Sequence, residues 1–103
     1  METQAYNHYY ITVIDDEHGK LEVEMLNGSP FIHLTLHEWS PQLFKEYKNT
    51  FKAVLSKMKE EGITQVYVLI PNDDPKLKKF EKMFGFKELN EGNGMLLMYQ
   101  EIE

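Results

Sequence analysis

The chain has 103 residues, 42% of them hydrophobic and 13% aromatic, which is enough for one core and suggests a single domain over residues 1–103. It carries 17 acidic and 11 basic side chains for a net charge of −6, every basic residue is a lysine, and there is no cysteine. These counts exclude disulfides, thiolate metal sites, iron–sulfur clusters and a cysteine nucleophile. They also argue against DNA readout, because lysine does not reproduce the bidentate fork of arginine and an acidic chain repels phosphate.

Residues 1–8 are polar, show no signal-peptide pattern and are expected to form a flexible or irregular start. A cytoplasmic protein is expected, since a cysteine-free chain fits a reducing compartment, and the longest apolar run, Val66–Ile70, is far too short to span a membrane. In His8–Asp15, Tyr9, Ile11 and Val13 alternate with Tyr10, Thr12 and Ile14, which predicts a strand covered in part on both faces. Asp16–Gly19 reads as a turn. Lys20–Leu26 then alternates with Leu21, Val23 and Met25 inward and Glu22 and Glu24 outward, the pattern of a half-exposed antiparallel strand. Asn27-Gly28-Ser29-Pro30 is a hairpin turn signal, and Phe31–His37 is a third strand.

Ser40 as cap and Pro41 as first helical residue open a long helix. Its apolar stripe is Phe44, Tyr47, Phe51, Val54, Leu55 and Met58, and Gly62 with Ile63 closes it. Thr64–Ile70 contains a continuous apolar run, which predicts a strand buried on both faces. Asp74 and Pro75 start a short helix with the stripe Leu77, Phe80 and Phe84, stopped by Gly85. Lys87–Leu89 and Met95–Ile102 are the last strands, joined by a turn at Glu91–Gly94. The order β-β-β-α-β-α-β-β predicts an α/β domain with a mixed sheet, one right-handed crossover and helices packed on its faces.

This order resembles the later three-quarters of the GNAT acyltransferase fold over roughly residues 9–102. The short helix ending in Lys79-Phe80-Glu81-Lys82-Met83-Phe84 and the pair Gly85-Phe86 carry the resemblance. The two helices that the family places between its first two strands have no counterpart. Asp73-Asp74-Pro75-Lys76 with Phe84-Gly85-Phe86, and Trp39-Ser40 between strand and helix, also resemble small uncharacterised proteins of tailed bacteriophages. The GNAT resemblance implies acetyl-CoA as cofactor if the chain is an enzyme, with an N-acetyltransferase activity. Active members hold the pyrophosphate in a glycine loop at the start of the long helix, where backbone N–H groups converge. Here that segment is His37–Lys45; it has no glycine, and Pro41 removes a donor. The family's frequent tyrosine acid falls at Phe80 or Glu81.

The cofactor-binding candidates are His37, Trp39, Ser40 and Asn72, bordering a cleft expected between the third strand and Thr64–Ile70. Asn72-Asp73-Asp74 follows the carboxyl end of a parallel strand, where ligands tend to bind, and it also suits a turn and a helix cap. Trp39 suits a ligand wall, or a staple onto Phe44. Glu38 would be a general base if an amine reached it. His33 and His37 share a strand face about 13 Å apart, too far for a common metal, so no metal is expected. Residues 1–38 hold seven acids and one lysine, net −6, which suits either a basic partner or a solvated edge hairpin.

Three functions follow. The first is a phage-type protein with the fold but without standard acetyl-CoA catalysis, acting by binding a host or phage protein in the host cytoplasm. The second is an N-acetyltransferase with a reduced cofactor loop. The third is a virion-associated structural protein. Membrane attachment is not expected, and the oligomeric state is not encoded.

Overall fold

The computed structural model describes residues 7–103; residues 1–6 of the expected irregular start lie outside them, and His8, its last residue, is the first of a strand. The elements are β1 (His8–Asp15), β2 (Gly19–Leu26), β3 (Ser29–Leu36), α1 (Pro41–Glu60), β4 (Gln65–Pro71), α2 (Pro75–Met83), β5 (Lys87–Gly92) and β6 (Met95–Glu101). They form a six-stranded mixed sheet in the order β1-β2-β3-β4-β6-β5, in which only β3 and β4 run parallel.

Two of the three hairpins, β2–β3 and β5–β6, close on Asn-Gly. Asn27 and Gly28 have φ of 49° and 86°, and Asn93 and Gly94 have 54° and 77°, the left-handed pair that a two-residue turn requires. The first turn is therefore shorter than the four residues expected. β3 begins at Ser29, with Pro30 fully buried opposite Met25. The second turn likewise releases residues 90–92 to β5.

The helices start and stop as their punctuation dictates. The Ser40 Oγ accepts the Leu43 N–H at 3.0 Å, and Asp74 Oδ1 accepts the Leu77 N–H at 3.0 Å. At the far end of α1, Ile63 N–H reaches the Met58 carbonyl and Gly62 N–H the Lys59 carbonyl. Phe86 and Gly85 repeat this on Glu81 and Lys82. Gly85 has a second constraint besides its φ of 100°: a Cβ there would lie 2.9 Å from the Gln100 side chain, which donates to the Phe84 carbonyl.

One hydrophobic cluster joins the two helices to one face of the sheet. Leu21, Val23, Ile32, Val66, Val68, Ile70, Leu96 and Met98 supply the sheet side, and Tyr47, Phe51, Met58 and Phe84 the helix side. This corrects two expectations. β4 buries Val66, Val68 and Ile70 but leaves Leu69 53% exposed, because both helices pack on the same face. β1 is an edge strand, so Tyr9, Tyr10 and Ile11 are each about half exposed rather than covered from both sides. No described helix is long and apolar enough to cross a membrane.

A candidate binding cleft at the parallel strand pair

The parallel pair is in register at one point, Phe31 opposite Tyr67. The ladder stops there, although β3 runs on to Leu36 and β4 to Pro71. A groove of about 710 Å³ lies beside the unpaired end of β3. One wall is Leu34 to Trp39, and the other is Asp74, Lys76, Leu77 and Phe80 from α2 and its cap. The strand ends because Ser40-Pro41 begins α1, and the second wall is set where Asp74-Pro75 begins α2.

The four expected cofactor residues do not share one place. His37 and Trp39 line this groove. Ser40 borders a separate shallow hollow with His18, Glu38, Gln42, Leu43 and Glu46. Asn72 lines neither; its N–H donates to the Gly94 carbonyl at 2.8 Å and ties the end of β4 to the last hairpin. Sequence reasoning missed Lys76, Leu77 and His18 as neighbours of these sites. The Leu77 signal was present in its stripe position, but only the divergence of two strands turns that stripe into a groove wall.

Trp39 is 56% exposed and does two things. Its ring lies 5.3 Å from Phe44, the staple geometry, and 6.4 Å edge-on to Phe80. Phe44 and Phe80 in turn meet Phe84 at 4.9 and 5.1 Å. The start of α1 and the helix α2 are therefore bridged by a continuous aromatic chain.

The start of α1 does not fit an acyl-CoA pyrophosphate. Pro41 has no N–H, Leu43 N–H is held by Ser40 Oγ, and Phe44 N–H by the Ser40 carbonyl at 3.0 Å. In this turn Gln42 N–H alone lacks a protein partner among the described residues. Glu38 and Glu46 stand beside it, and the basic group there, His18, is already bonded to Glu38. That bond raises the His18 pKa above its ordinary value. A diphosphate would meet two carboxylates and one amide, so the charge and the donors are both wrong.

Glu38 is thus an ion-pair partner of His18 rather than a group facing only solvent. His33 Nε2 donates to Glu24 Oε1, 2.7 Å away, and His8 Nε2 donates to the other carboxylate oxygen at 2.7 Å. These bonds, His33 first, hold the Glu24 carboxyl below the usual carboxylate range. The outward acids of β2 are therefore matched within the hairpin, Glu22 also lying 3.5 Å from Lys20. No three described His, Cys, Asp or Glu residues are grouped so as to hold a metal ion.

Comparison with known proteins places the fold. A domain from Methanocaldococcus jannaschii superimposes with a TM-score of 0.62 at 21% identity, over 81% of this chain and 55% of that one. A protein from Agrobacterium tumefaciens, described as a "putative acetyltransferase", superimposes with a TM-score of 0.51 at 14% identity, over 93% of this chain and 74% of that one. The six-stranded mixed sheet with two helices is compatible with a GNAT-like fold, which the likeness to the second structure supports. At these identities the likeness concerns the fold alone. This chain spans just over half the length of the archaeal one. No protein-family model and no curated protein matches the sequence.

Proposed function

We propose that this GNAT-like chain acts by binding a protein partner, of a host cell or of a phage as the sequence resemblance implies, and does not carry out standard acetyl-CoA catalysis. The observation that carries this reading is the start of α1. The Leu43 and Phe44 amides are taken up by Ser40, Pro41 has none and only that of Gln42 is left, while Glu38 and Glu46 stand where a pyrophosphate would need positive charge. The groove offers binding surface, and Phe80, at one of the positions where the family often has a tyrosine, has no hydroxyl to donate.

Calorimetry with acetyl-CoA and CoA tests the reading, alongside an acetyl-transfer assay on a panel of primary amines. The expected result is no saturable heat up to about 1 mM ligand and no transfer. Micromolar binding together with transfer overturns it. One observation favours the second reading, an N-acetyltransferase with a reduced loop: the strands that flank the cleft part after a single register pair, leaving space beside β3. In that case acetyl-CoA binds away from the α1 amides, and the same calorimetry reports it.

A further inference from the structure

We propose that the gap between β3 and β4 takes an extended polypeptide segment of the partner, added as a strand to the open edge of β3. This rests on the binding reading above and names the chemistry of the partner.

The direction of the main chain follows from hydrogen bonds on either side of the gap. His37 N–H donates to the His18 carbonyl at 2.8 Å, continuing the β2–β3 ladder one step past Gly19 opposite Leu36. In an antiparallel ladder alternate residues exchange both bonds with the neighbour, and the residues between turn theirs the other way. His33 and Thr35 therefore point their main-chain groups at β2, while Leu34 and Leu36 point theirs toward β4. The same reasoning applies to β4. Ile102 N–H donates to Thr64 and Asn72 N–H to Gly94, both at 2.8 Å, so its even-numbered residues face β6. Tyr67 and Leu69 then face β3. Tyr67 meets its register partner Phe31, and the ladder goes no further.

Leu34 and Leu36 thus direct N–H and C=O groups into the gap, and both residues line the groove. Their spacing along the strand, about 6.7 Å, is the two-residue repeat of another extended backbone. Donor and acceptor at that repeat match the amides of an extended chain. The side-chain surface is apolar, with Trp39, Leu77 and Phe80 available to every second residue of the segment. The charged residues of the groove are Glu38, Asp74 and Lys76, one acid more than base. That balance complements a neutral or basic segment and disfavours a polyanion. The occupant is therefore an extended, neutral-to-basic peptide with apolar residues at alternate positions.

Selection of the whole protein against a displayed library of random dodecapeptides tests this. Enriched peptides are then synthesised in two forms, unmodified and N-methylated at alternate amides, and titrated into isotopically labelled protein. Strand addition predicts apolar residues at every second position and shifts of the Leu34 and Leu36 amide resonances. It also predicts at least a tenfold loss of affinity on N-methylation in the pairing register. Trp39→Ala, which leaves the β3 main chain in place, is expected to weaken the same peptides. No enriched peptide, shifts confined to another surface, or binding indifferent to N-methylation each overturns the proposal. Acetyl-CoA titrated in parallel separates the two readings. If it is silent while peptides fail, only strand addition is lost; if it moves Leu34 and Leu36 at micromolar concentration and catalysis follows, the binding reading itself is lost.

Discussion

Glu81 shows how one side chain can escape a pattern. It lies on the stripe of α2, four residues after Leu77 and three before Phe84, and is buried to 5% exposure. Reading the stripe as Leu77, Phe80 and Phe84 passed over it, because a glutamate in a lysine-rich segment looks solvated. Burial pushes its carboxyl up to about 7 from an ordinary 4.5. In the unfolded chain it ionises near 4.5, so between the two values the folded protein holds the extra proton. Stability from this group is then full below about pH 4.5 and declines as pH rises to about 7. The whole effect is about 3 kcal/mol. Glu81→Gln should therefore raise the unfolding free energy near pH 8 by about 1–3 kcal/mol and change it little near pH 5. Chemical denaturation at the two pH values checks this; equal effects at both would show that the carboxylate is not desolvated. Asp16 moves the opposite way. It accepts from His18 N–H, Gly19 N–H and the Tyr47 hydroxyl, and its pKa is lowered, the His18 bond first among the causes. Its contribution is present above the ordinary aspartate range and fades as pH falls through the lowered value.

At the scale of elements, the local signals carried most of the information. Ser40-Pro41, Asp74-Pro75, Gly62-Ile63 and Gly85-Phe86 bound the two helices to within a residue or two, because caps are local chemistry: a side-chain oxygen and a left-handed glycine satisfy backbone groups next to them in sequence. Asp74→Ala is expected to cost about 0.5–2 kcal/mol and to fray the first turn of α2. Thermal unfolding measures the cost, and faster amide exchange at Leu77 locates it; unchanged exchange there would mean that the cap bond is not held in solution. The strand that misled was β4. Its run Val66–Ile70 reads as buried on both faces, yet only alternate residues are covered. An apolar run says that a strand is able to be covered, and the number of layers decides whether it is.

At the scale of the molecule, the arrangement turns on both helices sharing one face. Phe84 is central to it, meeting Phe44 and Phe80 and lying 5.9 Å from Phe51. Phe84→Ala should cost about 3–5 kcal/mol and loosen the contact of α2 with α1. Equilibrium denaturation checks the magnitude; a loss below about 1 kcal/mol would mean that the aromatic chain does not couple the helices. The candidate site belongs to this scale as well. His37 and Trp39 were legible as groove residues because they follow a parallel strand immediately. Asn72 was not, since its amide turns to Gly94, 22 positions away, and Ser40 spends its hydroxyl on its own helix.

What the sequence by itself determined is the succession of elements, their caps, both Asn-Gly turns as turn sites, and the poverty of the α1 start in glycine and positive charge. Each rests on interactions within a few residues, where spacing is fixed by the covalent chain. Only the tertiary structure decided the one-sided covering of the sheet, the burial of Glu81, the pairing of His18 with Glu38, and the parting of β3 from β4 after a single register pair. Those depend on which segments meet across long separations, and packing sets that only when the whole core closes at once.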